Sequence, residues 1–385
     1  MPVVPRRLGL SLATALATAA ALAVSAPSAP AAGTPATRHV DAWHAVFAQT
    51  NSLSGNQIVA YDRDGRGRLT QAGTYDTHGL GGQLTGSVAD HLASQGSLTF
   101  DREHGLLYAV NAGSNTVSVF TVRGDRLKLR QVVDSGGRFP VSVTVHDDLV
   151  YVLNALDGGS IQGYTVHGDH LRKQDDWHRC LGLDPKATPQ FTNTPGQVGF
   201  VRGGSQLVVT TKANGSNLDV FAIDPSGAPS DAPVVTNLPG AVPFGFVPND
   251  RHGIFLTEAG PNALTTIDIR RDGTARQTAF AATGQVATCW VAAAGDLLYT
   301  SNAGSNSVSG FRASDRGRRL TALGNASTDP GTIDAVASPD GRFLYVQTGV
   351  NGIIDEFTVN PDGTLTRFGA VPIPDGAGSE GIAAT

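Results

Sequence analysis

The sequence predicts an all-β fold, a seven-bladed β-propeller with four antiparallel strands per blade, and three observations lead there. Residues 107–120, LYAVNAGSNTVSVF, and residues 298–311, LYTSNAGSNSVSGF, agree at ten of fourteen positions. Relatives of the same phrase recur at VFAQTN, LYAVNA, VYVLNA, VVTTKA, IFLTEA, LYTSNA and LYVQTG, starting at residues 46, 107, 150, 208, 254, 298 and 344. Their spacing of 43 to 61 residues is that of a repeated blade. The composition, with 47 Gly, 21 Pro and only 16% charged residues, describes many short buried segments between turns and leaves little room for long amphipathic helices.

In chain order, Arg6 and Arg7 precede the apolar run LGLSLATALATAAALAV, and small residues follow as far as Ala29-Pro30-Ala31. A basic start, an apolar centre and an A-x-A site make residues 1–32 a secretory signal peptide cleaved near Ala31. The paired arginines leave both the general and the twin-arginine export routes open. Residues 33–43 read as a linker, and residues 44–385 as the propeller. In the second repeat, GSLTF, LLYAV, TVSVFTV and LKLRQVVD are four strands with period-two alternation, separated by the polar turns DREHG, NAGSN and RGD. The pairs Asp272-Gly273, Asp340-Gly341 and Asp362-Gly363 recur between strands, where a tight hairpin needs positive φ; they read as turns, not calcium loops. The first repeat lacks an innermost strand, and the final SEGIAAT resembles the innermost strands of other repeats. The C-terminal strand is therefore expected to complete the N-terminal blade, closing the ring and removing exposed sheet edges.

Removal of Arg6 and Arg7 takes the formal charge from −5 to −7. A mildly acidic chain with no basic run argues against nucleic acid and anionic membrane as partners. Cys180 and Cys289 are the only cysteines; they could pair outside the cytoplasm, but the apolar surroundings of Cys289 favour a buried free thiol. A monomer is expected.

YAVNAGSNTVSVF and its relatives resemble the YVTN-type propellers, and the mature chain as a whole resembles the lactonase-like group related to bacterial 6-phosphogluconolactonase and fungal carboxymuconate lactonising enzyme. LASQGSL, SGGRFPVSV, TPGQVGF and VPFGF are similar to segments of its secreted members. The resemblance implies a lactone hydrolase or a lactonising cycloisomerase. Cytosolic phosphogluconolactonases of this fold carry a proline- and histidine-rich segment followed by an Asp-Leu-Gly-type turn. Residues 243–262, PFGFVPNDRHGIFLTEAGPN, have neither, so the phosphosugar activity is not carried over.

Nucleophile-elbow, zinc-helix, P-loop and dinucleotide motifs are missing. The repeat itself offers a search tool, since a structural position should look alike in every blade. The residue ending each template strand is Thr50, Asn111, Asn154, Lys212, Glu258, Asn302 or Thr348. Lys212 and Glu258 depart from the small neutral set. Two readings are open for them: an ion pair bridging neighbouring blades, or a polar pocket at the channel mouth ringed by Asn111, Asn154 and Asn302. Connections entering the innermost strands are expected to bring Arg138, Phe139, Gln197, Phe244, Phe246, Gln285, Trp290, Asp334 and Glu380 to the same mouth. Phe246 and Cys289 read as core packing. The longest surplus, THGLGGQLTGSVADHLASQG with His78, Asp90 and His91, is either a lid or a surface excursion. A second surplus, DDWHRCLGLDPKATPQFTNTP, holds Trp177 and His178 and carries the same alternatives.

Two functions follow. As an enzyme, the chain would open or close a small lactone, sugar-derived or carboxylate-bearing. Lys212 and the asparagine amides would stabilise an oxyanion, Glu258 would act as base, and Arg138 would hold a carboxylate. No cofactor is expected; Ca²⁺ would suit Glu258 and the amides, but Lys212 opposes it. The alternative is a secreted, non-catalytic scaffold that binds a glycan, peptide or protein.

Overall fold

The computed structural model describes residues 44–249 and 252–385; the expected signal peptide at 1–32 and linker at 33–43 lie outside these residues. Seven four-stranded antiparallel sheets form the ring. Blades two to seven each run from the innermost to the outermost strand in chain order. They begin at Leu98–Asp101, Pro140–His146, Gln197–Val201, Pro243–Pro248, Thr288–Ala294 and Thr332–Ala337. Blade one is built from both ends of the described chain. The strand Ala45–Gln49 pairs with Ile382–Ala384 in the register Val46 to Ala384, Phe47 to Ala383 and Ala48 to Ile382, which is the expected closure. The Thr385 hydroxyl accepts from the Ala45 amide at 3.0 Å and extends the seam by one residue.

Burial grades across each blade. The template strands Leu106–Asn111, Leu297–Asn302 and Phe343–Thr348 are buried at every residue, whereas the outermost strand Leu365–Pro372 alternates between half-buried and exposed positions. A strand covered by sheet on both sides and by blades on both faces is mostly apolar, and the polar residues it carries, such as Asn111 and Asn302, are buried and hydrogen-bonded. An outer strand with one wet face alternates.

The recurring tyrosine of the template has a structural reason. Tyr151, Tyr299 and Tyr345 are fully buried, and each hydroxyl donates to a glycine carbonyl in the outer hairpin of the next blade: Gly227 at 2.6 Å, Gly363 at 3.0 Å and Gly67 at 2.8 Å. A buried phenol needs such a partner. The accepting glycines have φ of +97°, +89° and +85°, so the turn that supplies the carbonyl is one a side chain would strain.

Candidate functional site

Residues 77–97, the longest surplus over the repeat, enter the central channel. The Ser94 hydroxyl donates to the Val141 carbonyl in blade three at 2.9 Å, and the Gln95 amide donates to Gly196 at the entrance of blade four at 3.1 Å. Across the channel, the Gln95 side chain exchanges two hydrogen bonds with the Val291 backbone of blade six, both 3.0 Å long. Trp290 Nε1 donates to the Ser94 carbonyl, and the His91 amide donates to Gly378 near the C-terminus. Gly245 of blade five completes the seat: a Cβ there would lie 2.2 Å from Gln95 Oε1, so this close approach requires glycine. The segment is a plug anchored on five blades. Asp90 and Ala93 face a cavity of about 580 Å³ on the side of the template turns, and Gln95 and Gly96 face a second of about 600 Å³ at the opposite mouth.

The first cavity is walled by Phe191, Val242, Phe244, Ala259, Trp290 and Val350. Phe244 and Trp290 meet edge to face with centroids 5.0 Å apart. Among the described residues, Asp90 and Lys212 are its only charged side chains. Lys212 sits at φ +54°, a left-handed conformation that costs a non-glycine residue about 1–2 kcal/mol and marks a position held by its surroundings. Its Nζ donates to the Ala93 carbonyl at 2.6 Å, the Phe191 carbonyl at 2.6 Å and Thr194 Oγ1 at 3.1 Å, and lies 5.3 Å from the Phe244 ring centroid. Burial pushes this amine down to about 7, against the attraction of Asp90 and Glu380. The two short bonds to carbonyls and the aromatic face favour its charged form.

Asp90 is buried, and its two oxygens accept from the Leu92 amide at 2.7 Å and the Ser94 amide at 3.1 Å. Burial outweighs these bonds and the Lys212 charge, and pushes the carboxyl up to about 7. Glu380 lies behind it, with Oε2 accepting from Ser94 Oγ at 3.2 Å; burial and the charges of Asp90 and Asp334 hold its carboxyl well above the usual range. The Cys289 thiol, in the cavity wall, is pushed up to about 12 by burial and is neutral.

The structure separates the residues that the sequence grouped at one mouth. Lys212, Phe244 and Trp290 line the first cavity. Glu258 does not: it is buried in its own blade, where Oε1 accepts from Thr265 Oγ1 at 3.2 Å, and it forms no ion pair with Lys212. Gln197 and Asp334 line the opposite cavity instead, with Gln197 Oε1 accepting from the Phe246 amide at 2.6 Å. Arg138 points outward and pairs with Asp157 at 2.9 Å, both side chains 62% exposed. The asparagines are braces. Asn111 donates to Thr116 Oγ1 and Ser118 Oγ and accepts from Asn56, while Asn302 donates to Ser309 Oγ and accepts from Thr288. Asn154 donates to the Ser135 carbonyl at 3.1 Å. Among the described residues, no three His, Cys, Asp or Glu side chains gather as a metal site. Cys180 is exposed and Cys289 buried, both as free thiols.

Two contributions escaped the sequence reading. Asp90 was visible only as one polar residue in a surplus loop, because a plug has no repeat to be compared with. The second surplus supplies the Phe191 carbonyl and the Thr194 hydroxyl to Lys212 through one helical turn, Gln190–Asn193. Its Trp177 is core, stacked on Tyr151 at 6.2 Å.

The model of the family described as lactonase, 7-bladed beta-propeller, matches residues 85–377. No curated protein matches the chain. Among solved structures, a protein of Bacteroides fragilis described as a candidate 6-phosphogluconolactonase superposes with a TM-score of 0.69 at 18% identity, over 88% of this chain and 97% of that one. A periplasmic gluconolactonase of Pseudomonas aeruginosa gives 0.68 at 17% identity, over 88% and 98%. At these identities the superpositions speak for the fold alone.

Proposed function

The chain belongs to the seven-bladed β-propeller lactonase family, and from that membership we propose that it opens a small lactone by hydrolysis in the cavity between the plug and the template turns. The observation that carries this reading is the pair Asp90 and Lys212, the only charged side chains among the described residues of a cavity walled mostly by aromatic and aliphatic groups. Ligand sites have this composition, with apolar walls and a few placed polar groups.

The chemistry needs a base and a source of positive potential. Water adds to the lactone carbonyl while its proton passes to the Asp90 carboxylate, whose affinity near neutrality suits a base that must also release the proton. The carbonyl oxygen gains charge within the field of the Lys212 ammonium, which acts through low-dielectric surroundings. The ring C–O bond then breaks, the departing alkoxide takes the proton from Asp90, and a hydroxy acid leaves. Lys212 acts through its charge, because its three donors already serve Ala93, Phe191 and Thr194. Glu258 and Arg138 have no part in this scheme. The same reading has the mature protein acting as a monomer and exported after cleavage near Ala31, the export supported by the residue pattern of 1–32.

Acid release from a panel of lactones, including γ-butyrolactone, D-glucono-δ-lactone and a muconolactone, tests it. One equivalent of acid per lactone consumed is expected, with Asp90→Asn slower by about 10²–10⁴-fold. No acid release across the panel overturns the hydrolytic reading. Wild-type rates in Asp90→Asn would remove Asp90 from it.

A further inference from the structure

The proposed reaction leaves open what the lactone carries, and the cavity bears on that. A polyhydroxylated or phosphorylated sugar lactone is held by several free hydrogen-bond donors and, for the phosphate, by an available cation. This cavity offers few. The three Lys212 donors are all engaged at 2.6 to 3.1 Å. The Ser87 hydroxyl donates to Leu84 at 2.7 Å and the Thr192 hydroxyl to Pro189 at 3.2 Å. The Trp290 indole N–H is turned away to Ser94. Beyond the Asp90 carboxyl and the amide of Asn306, whose Oδ1 is taken by the Gly331 amide, what remains for a ligand to meet is mostly hydrocarbon.

The rim continues that surface outward. Val88, Val286 and Val350 are 80%, 58% and 44% exposed. Val88 and Val350 line the cavity directly. Val286 precedes the lining residue Ala287, and its Cγ1 would lie 2.7 Å from a Cβ on Gly304, also a lining residue. Scattered exposed valines mean nothing. Three around the mouth of one apolar cavity extend its walls into solvent.

We infer that the ligand of this site is a lactone bearing an apolar substituent, an alkyl or aryl group, whose ring lies between Asp90 and Lys212 and whose tail runs along Phe244 and Trp290 to the valine rim. This rests on the lactone-opening reading for the ring and on the cavity's own surface for the tail.

The test is a homologous series from γ-butyrolactone to γ-dodecalactone beside D-glucono-δ-lactone, on wild type and on Val88→Asp and Val350→Asp, with melting curves to show that the variants fold. For wild type, kcat/KM should rise about fourfold per methylene until the tail passes the rim, the ratio expected for burying one CH₂. The ratio of longest to shortest substrate should fall tenfold or more in the aspartate variants. Turnover of D-glucono-δ-lactone with a flat alkyl series overturns the inference and leaves lactone hydrolysis standing. If no lactone releases acid, binding of the non-hydrolysable 2-octyltetrahydrofuran, followed by tryptophan fluorescence, separates the two. Saturable binding weakened by Val88→Asp retains the apolar ligand class, and no binding overturns it along with the reaction.

Discussion

Replacing Asp90 by Asn should raise stability above neutral pH while slowing lactone opening, and both signs can be worked out. The buried carboxyl is pushed up to about 7 from an ordinary value of 3.8. Its folded pKa is thus raised, so its contribution to stability is fully present below pH 4 and is lost as pH rises through 7. At 1.36 kcal/mol per unit, ionising this site at pH 8 costs the fold about 4 kcal/mol, part of which belongs to its buried neighbours Asp334 and Glu380. Asparagine stays neutral but keeps one acceptor oxygen for two backbone amides, Leu92 and Ser94, and orphaning one costs about 1–3 kcal/mol. The net gain is about 1–3 kcal/mol at pH 8. At pH 4 the sign reverses, because the protonated acid carries no charge penalty and only the lost hydrogen bond remains. For a domain of this length the gain is about 2–4 °C in Tm. Melting curves of wild type and Asp90→Asn at pH 4 and pH 8, beside their lactone turnover, measure the crossing. Equal destabilisation at both pH values would refute the reasoning, since Asp90 would then be held as comfortably as any surface carboxylate.

The remaining predictions use the same physics elsewhere. Asp219 is buried in the third strand of blade four, Asn217–Ala222, with Oδ1 unpartnered and its carboxyl pushed up to about 6; Asp219→Asn should stabilise by about 2–3 kcal/mol above pH 6 and by nothing below pH 4 in urea titrations, with lactone turnover unchanged. Lys212→Met orphans the Ala93 and Phe191 carbonyls and should lower stability by about 2–5 kcal/mol, with faster amide exchange in residues 90–95. Truncation after Ser379 removes the strand Ile382–Ala384 and exposes the edge of Ala45–Gln49; loss of the cooperative melt and aggregation on light scattering are expected.

Fold and site were unequally legible because they obey different constraints. The tyrosine of the template recurs because a buried strand must give its phenol a partner: Tyr151, Tyr299 and Tyr345 reach the next hairpin, and Tyr108 reaches Asp101 in its own blade, so one physical demand writes one phrase several times. Repetition also made Lys212 visible as a departure. The same comparison raised Glu258, which is equally atypical and equally buried, yet folds back on Thr265. A repeated backbone position tells which face a residue is on, and its neighbours decide where the side chain goes. Arg138 shows the same limit, since Asp157 draws it outward. The last Asn of the NAGSN turn was read only as turn chemistry. Asn115 and Asn306, both at positive φ, also accept from the Phe139 and Gly331 amides and so brace the entrance of the next blade.

The plug decides how a ligand can reach the site. Opening it as a lid would break the bonds of Ser94 to blade three, Gln95 to blades four and six, Trp290 to Ser94, and His91 to Gly378. At about 0.5–1.5 kcal/mol net for each hydrogen bond, with buried partners left unpaired, that approaches the stability of a whole domain. Residues 90–95 therefore form a floor, and under the proposed function the ligand enters over the outer part of the same loop, where Val88 is exposed and lines the cavity. Gly378 and Glu380, which contact this floor, belong to the segment leading into the closing strand. The end of the chain thus closes the ring and sets the site in one act. A substitution that loosens the seam between Ala45–Gln49 and Ile382–Ala384 should weaken ligand binding before it unfolds the blades, a result that equilibrium binding measured across a urea titration would show as two separate transitions.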